Sequence, residues 1–551
     1  MRFRDFKYLA LAALLAMFIA ARSVPAQSPK TSTTHTQAVQ SNAIAQTAGE
    51  QRAARALESV RHNPLELHEF LRQMPKGADL HNHLAGAVYA ESWIRDGADD
   101  ALCVDLATLA FFKTQAMTRS LPPQPVCGEG HVAASHALED QHLYDSLVDA
   151  FSMRAFVPSA GTSGHDHFFN SFAKFLAVDP RHTGAWLDEL SARAAAQNEQ
   201  YLELMDTPPF AHTIQIANEI GWQDDLAKFR QALLDRGLRD DVAVALAHWD
   251  QAEALRNERQ HCIASATAGA QSGAPGPPAP SAGCRVEIRF LYQVLRGFPK
   301  QQVFAQALLG FEVASIDPRV PGINFVMPED CYICMNDYAL QMRMIDFLHN
   351  LYPKVRITLH AGEIAPGLVT YEGLCCHIRL AIDEGHAERI GHGVDLMYED
   401  RPYDLLKEMA AKHVMVEINL TSNDLILGIT GDAHPFPLYR KFGVPVALST
   451  DDEGVSRIDL THEYVRSVQT YDLHYADLKK LVRTSLEHSF LRGDSLWEKP
   501  DDFSRANLAC SGDSLGSEKP SASCAAFVKT SERAQQQWEL ERRFSKFEST
   551  F

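Results

Sequence analysis

Ala78-Asp79-Leu80-His81-Asn82-His83-Leu84-Ala85-Gly86 is an apolar lead-in followed by two histidines spaced i and i+2. On a β-strand that spacing turns both imidazoles to one face, where they can grip one metal ion together. The same pattern also fits an ordinary strand that carries two histidines and binds nothing. Which reading holds depends on what the rest of the chain brings to the end of that strand.

Beyond this stretch, short β-rich runs alternate with helical stretches. Strands are predicted at Tyr201–Met205, Val286–Gln293, Gly310–Ile316, Val355–His360, Arg389–His392, Val414–Asn419 and Val444–Thr450. Helical patterns fit between most of them, as at Asp337–Leu351, Tyr371–Glu384 and Tyr403–Lys412. With the His81 strand this makes about eight β/α repeats, the signature of a closed (β/α)8 barrel. A doubly wound open sheet is the alternative, but no Gly-x-Gly-x-x-Gly turn follows any of these strands.

In such a barrel, chemistry gathers at the C-terminal ends of the strands. His81 and His83 end the first, and His360-Ala361-Gly362-Glu363 the fifth. Gly391-His392-Gly393 ends the sixth, and Ser449-Thr450-Asp451-Asp452 the eighth. Each motif alone has a bland reading, a turn aspartate or a core histidine; their recurrence on separate strand ends is what carries weight. Three neutral imidazoles and one carboxylate suit Zn²⁺ with a position left for water. Such an ion lowers the pKa of that water to roughly 7. Glu363 lies close enough to His360 to share the site, and His392 arrives from the next strand. Of the two adjacent aspartates, one can bind metal while the other faces substrate.

His81-Asn82-His83-Leu84-Ala85-Gly86-Ala87, Leu359-His360-Ala361-Gly362-Glu363, Arg389-Ile390-Gly391-His392-Gly393, Thr421-Ser422-Asn423 and Leu448-Ser449-Thr450-Asp451-Asp452 resemble the adenosine deaminase family, in the same order. The resemblance runs from about Met74 to Leu491, long insertions excepted. The Pro75-Lys76-Gly77 lead-in and a Phe-rich segment look more like its extracellular, growth-factor-related branch. It implies a TIM-barrel aminohydrolase of the metallo-dependent hydrolase superfamily, with one Zn²⁺ on His81, His83, His360 and Asp451. Glu363 would protonate purine N1, His392 would orient and help deprotonate the zinc-bound water, and Asp452 would hold N7. Attack of hydroxide on C6 would turn adenosine or 2'-deoxyadenosine into inosine or 2'-deoxyinosine and ammonia. Two departures bear on substrate. Ala85 stands where many members have a sugar-contacting aspartate, and alanine cannot hydrogen-bond a hydroxyl. Ser315 takes the place of a glycine whose backbone N–H meets the purine. The alternatives are a related aminohydrolase of another purine, nucleotide or amine, and a nucleoside-binding protein without turnover.

The 551 residues are 46% hydrophobic with a formal net charge of -18, which argues against a nucleic-acid partner and fits a small-molecule enzyme. Arg2, Arg4 and Lys7, the apolar run Tyr8 to Ala21 and Val24-Pro25-Ala26 read as a signal peptide over residues 1–26. Its apolar run is short for a spanning helix, so an uncleaved anchor is the lesser reading. A secreted or periplasmic protein without stable membrane insertion is expected, and oligomerisation is left open. Residues 27–52 read as a flexible polar arm and 53–490 as the barrel domain, with insertions near 97–164 and 255–285. Residues 491–551 read as an extension packed on the barrel. Pro64 is expected to split the helical pattern from Ala53 to Gln73. Phe151, Phe156, Phe168, Phe169, Phe172 and Phe175 read as core or as the wall of a pocket. His165-Asp166-His167 opens a helix and reads as rim, not metal.

Export makes the 10 cysteines disulfide candidates. Cys103/Cys127, Cys262/Cys284 and Cys510/Cys524 bracket loop-like segments as local staples. Cys331-x-x-Cys334 and Cys375-Cys376 lack the spacing of a zinc ribbon, and their pairing stays open.

Overall fold

The structure is a computed structural model that describes residues 47–118, 125–262 and 279–551. The expected signal peptide, most of the expected polar arm, Leu121-Pro122-Pro123 and residues 263–278 lie outside the described residues.

Eight parallel strands form one sheet: β1 Gly77–His83, β2 Glu199–Asp206, β3 Glu287–Leu295, β4 Gly322–Val326, β5 Arg356–Ala361, β6 Arg389–His392, β7 Met415–Ile418 and β8 Val446–Leu448. They pair in chain order. β1, β6, β7 and β8 are buried at every residue, as expected of strands covered on both faces. Closure comes from a parallel bridge between Asn82 and Asp451. The Asp451 N–H donates to the His81 carbonyl at 2.8 Å and the His83 N–H to the Asp451 carbonyl at 3.0 Å. The fold is the (β/α)8 barrel that the alternation predicts, and the residues closing it are site residues.

One strand is elsewhere than its sequence pattern predicts. Gly310–Ile316 is not a strand: most of it ends the helix Lys300–Ala314, and the fourth strand is Gly322–Val326. That helix is buried continuously from Val303 to Val313, so it has no polar face, and periodicity cannot tell such a helix from a buried strand. Tyr371–Glu384 is likewise not one helix. A 3₁₀ turn, Tyr371–Leu374, is followed by Cys376 at φ 82°, and only then by the helix His377–Asp383.

The helices Ala48–Val60 and Pro64–Gln73 separate at Pro64 as expected, the second capped by Asn63. The first begins inside the stretch assigned to the polar arm. Residues 48–52 are helical because Thr47 Oγ1 accepts the Glu50 N–H at 3.0 Å and Ala53 and Leu57 are buried. Within the first insertion, Cys103–Asp105 pairs antiparallel with both Ala110–Phe112 and His131–Ala133. Phe151 packs edge-on against Phe175, which stacks on Trp93 at 4.6 Å, so those rings are core. The C-terminal helix Glu532–Glu548 is joined to the helix Tyr475–Glu487 by Lys479–Glu548 at 2.7 Å and by Arg483–Glu541. All ten cysteines are paired, including the three expected staples, and the remaining two pairs are Cys331–Cys334 and Cys375–Cys376. Among the described residues no helix is long and apolar enough to cross a membrane.

Candidate active site

At the C-terminal end of the barrel the four histidines of the strand-end motifs converge. The ring centroid of His81 lies 5.3 Å from that of His83, 4.5 Å from His360 and 4.9 Å from His392. Gly391 permits this crowding: a Cβ there would meet His81 Cε1 at 2.6 Å. His392 and Asp451 both adopt positive φ, 71° and 62°. Backbone of that kind costs on the order of 1–3 kcal/mol and collects at functional sites.

Three of the rings share one arrangement. Nδ1 of His81 faces Glu417 Oε2 at 2.6 Å, that of His83 faces Gln293 Oε1 at 2.7 Å, and that of His360 faces Asn324 Oδ1 at 2.7 Å. Each acceptor fixes the ring proton on Nδ1 and leaves the Nε2 lone pair bare, the arrangement typical of metal-ligating histidines. Those Nε2 atoms meet around Asp451. Its Oδ1 is 3.4 Å from His81 Nε2 and 3.2 Å from His83 Nε2, and His83 Nε2 is 3.2 Å from His360 Nε2. Asp451 Oδ2 accepts the Ser422 hydroxyl at 2.6 Å. Lone pairs and a carboxylate crowded in a buried space repel unless a positive charge lies among them. Burial disfavours an imidazolium at His81, yet its bonds to Asp451 and Glu417 outweigh this and carry its pKa up to about 10. The same attraction holds the Asp451 carboxyl well below its ordinary range. The donor set therefore fits a divalent cation such as zinc.

His81 is anchored from below by the barrel interior. Glu417 also accepts from Thr358 Oγ1 at 2.9 Å and from Arg389 Nε at 2.7 Å, and Arg389 pairs with Glu203 at 2.7 Å. All three charged groups of this chain are fully buried. An ion pair at that depth is worth keeping only if every member is bonded, so Arg389 and Glu203 serve to hold Glu417 in place.

Glu363, near His392, and Asp452, near His83 and Asp451, are carboxyls of another kind. Burial, then the charges of Asp451 and Glu329, push Glu363 well above the ordinary range. Burial and the neighbouring Asp451 do the same to Asp452. Both surroundings thus favour the protonated carboxyl, the form that can donate a hydrogen bond. Glu363 is set by Glu329, which accepts the backbone N–H groups of Gly362 at 3.0 Å and Glu363 at 2.7 Å. Glu329 itself stays ionised: burial opposes the charge, but His377 and Arg296 hold its pKa at about 2. Asp452 presses on Gly86, whose added Cβ would meet Asp452 Oδ1 at 1.5 Å.

His392 differs from the other histidines. Its Nδ1 faces the amide nitrogens of Asn423 at 2.9 Å and Asn419 at 3.5 Å. Glu363 Oε1 is 3.7 Å from that nitrogen, and His392 Nε2 is buried with no partner among the described residues. Burial is the main influence that draws the ring down to about 3, so it is neutral.

The structure thus brings His81, His83, His360, Asp451, Asp452, Glu363 and His392 to one place. His392 also lies near enough to His81, His360 and Asp451 to count as a ligand by distance alone. Ala85 is half-buried on the short helix Leu84–Ala87 that follows β1. Ser315 does not join them. It is exposed at the end of the helix Lys300–Ala314, with its hydroxyl donating to the Glu312 carbonyl at 2.7 Å, so the purine contact expected of it is withdrawn. The His165 ring pairs with Asp330 at 3.1 Å, and His167 Nε2 faces the carbonyls of Asp149 and Ser152; neither reaches the cluster. Gln293, Asn324, Glu329 and Glu417 escaped sequence reading. Gln293, Asn324 and Glu417 each left a trace, a lone polar side chain inside an apolar strand run; Glu329 left none.

Residues 342–498 match the family model described as adenosine deaminase. Over 136 residues, 24% of this chain, it is 37% identical to an adenosine deaminase of Clostridium perfringens and covers 38% of that protein. Over 214 residues, 37% of this chain, it is 30% identical to an adenosine deaminase of Vibrio atlanticus and covers 56% of it. The matches thus span less than two thirds of these relatives. Among solved structures, an adenine deaminase from Arthrobacter aurescens aligns with a TM-score of 0.47 at 17% identity, over 76% of this chain and 95% of its own.

Proposed function

We propose that this chain is a member of the adenosine deaminase family, whose model matches residues 342–498, and that it removes the 6-amino group of adenosine and 2'-deoxyadenosine as ammonia. The observation that carries this reading is the pairing of two opposite kinds of group. A cluster whose crowded lone pairs and carboxylate call for a positive charge, His81, His83, His360 and Asp451, lies beside two buried carboxyls, Glu363 and Asp452, whose surroundings favour the protonated form. When bound there, a zinc ion would supply Lewis-acid activation of a water at neutral pH. Glu363 donates its proton to ring N1, which draws electrons from C6 and readies it for attack. Asp452 donates to N7 and fixes the plane of the base. Ser422 holds Asp451 by its second oxygen, which leaves Oδ1 turned to the cluster. The buried walls keep bulk water from competing for the proton on Glu363.

Export is part of the proposal. It is supported by the basic and apolar start of the sequence and by the pairing of all ten cysteines. Ala85 favours a second reading of the substrate. With no hydrogen-bonding group at that position, sugar recognition is relaxed, and adenine or a nucleotide is the competing substrate. The test is ammonia release by zinc-loaded protein from adenosine, deoxyadenosine, adenine and AMP compared side by side. Fastest release from the two nucleosides supports the proposal. Preference for adenine or AMP moves the assignment to the second reading, and no release from any purine overturns both.

A further inference from the structure

A chain of hydrogen bonds outside the ligand cluster ends on His392. It starts at the Phe436 backbone N–H, which donates to Nδ1 of His434 at 3.1 Å. A backbone N–H can only donate, so His434 carries its ring proton on Nε2. Burial, followed by the nearby charge of Arg466, draws His434 down to about 3 and keeps it neutral. That Nε2 faces Oδ1 of Asn423 at 3.0 Å, and the Asn423 amide nitrogen faces Nδ1 of His392 at 2.9 Å. His434 is 2% exposed, and Asn423 and His392 are fully buried, so no water can substitute for a missing partner. Turning the amide over would set its nitrogen against the His434 N–H. Turning His434 over would set an N–H against the N–H of Phe436.

We propose that His434 is a positioning residue, which through Asn423 locks His392 as the tautomer protonated on Nε2. His392 is then opposite in kind to His81, His83 and His360, whose acceptors hold the proton on Nδ1. Two consequences follow. His392 has no lone pair to offer from Nε2, so it is not a metal ligand although it lies close enough to be one. In the deaminase reading, on which only this second consequence rests, His392 meets the reacting oxygen as a hydrogen-bond donor. It stabilises charge growing there, and the role of base toward water falls to another group.

The test reads the tautomer directly. Zinc-loaded protein labelled with ¹⁵N-histidine is examined by long-range ¹H–¹⁵N correlation, with the His392 signals assigned by their loss in His392→Gln. The expected spectrum shows a protonated Nε2 and a bare Nδ1 for His392. Asn423→Asp places an acceptor against Nδ1 and is expected to move the proton there, with kcat reduced at least tenfold and KM little changed. His434→Phe removes the Nε2–H and is expected to give a mixture of tautomers. Thermal unfolding checks that both variants fold, and Asn423→Asp, the nearly isosteric one, suffices if His434→Phe does not. A wild-type His392 protonated on Nδ1, or a tautomer unmoved in Asn423→Asp, overturns the proposal. The spectra need no substrate, so failure of the deaminase reading appears separately, as the expected tautomer without ammonia release.

Discussion

The Nε2 atoms of His83 and His360 face each other at 3.2 Å with no proton to share, because Gln293 and Asn324 hold each ring's proton on Nδ1. Such a pair repels until a cation lies between or beside the two lone pairs. Zinc should therefore raise the thermal unfolding midpoint, and a chelator should lower it. Ligand held at a thousand times its Kd contributes about 4 kcal/mol. A midpoint indifferent to both would contradict the assignment of His81, His83, His360 and Asp451 as ligands.

Glu417 is expected to tune that affinity through His81. Glu417→Gln weakens the bond to Nδ1 and leaves Arg389 with Glu203 as its carboxylate partner. Loss of such an outer partner costs roughly 10–100-fold in metal affinity. Competition against a chromogenic chelator measures this, and an unchanged affinity would remove Glu417 from the account.

Gly86→Ala separates substrate positioning from metal binding. The new Cβ occupies the space of the Asp452 carboxyl, which must turn away, while the ligands keep their partners. We expect kcat/KM to fall about 10²-fold, the scale of a misplacement near 1 Å, at full zinc content. Equal loss of zinc and activity would instead show that the substitution damages the ligand cluster.

Stability should carry the mark of Glu463, which accepts the Thr421 N–H at the start of the helix Leu420–Leu427. Burial raises its pKa to about 7 from an ordinary 4.5, against the opposing effects of Thr421 and Arg466. The folded state thus holds this proton more tightly than the unfolded chain. Its favourable contribution is complete below pH 4.5 and is lost as pH rises through about 7. Glu463→Gln keeps the acceptor without the charge. It should equal the wild type near pH 4 and exceed it by about 1–3 kcal/mol at pH 8, as read by denaturant unfolding. A constant difference across that range would rule out this ionisation as the cause.

What could be read from sequence divides along physical lines. The strand ends at His83, His360, His392 and Asp451 were legible because polar residues follow directly on apolar runs. The fourth strand was not. The helix Lys300–Ala314 is enclosed on all sides and imitates a strand, while Asn324 interrupts the short strand that is really there. Gln293 and Asn324 act on histidines 210 and 36 positions away. Glu417 acts on His81 across 336 positions. Strand pairing brings Asn324 to His360, and closure of the barrel brings Glu417 to His81; no local spacing records either. Ser315 was misplaced for the same reason as the strand it was assigned to.

In the proposed reaction Glu363 delivers the proton that makes the purine reactive, beside a metal held by His81, His83, His360 and Asp451. The most direct measurement is steady-state ammonia release from adenosine by zinc-loaded wild type and by Glu363→Gln at matched zinc content. We predict release by the wild type and a fall of about 10²–10⁴-fold in kcat for the variant, with nucleoside binding retained. Release at the wild-type rate by Glu363→Gln would contradict the account.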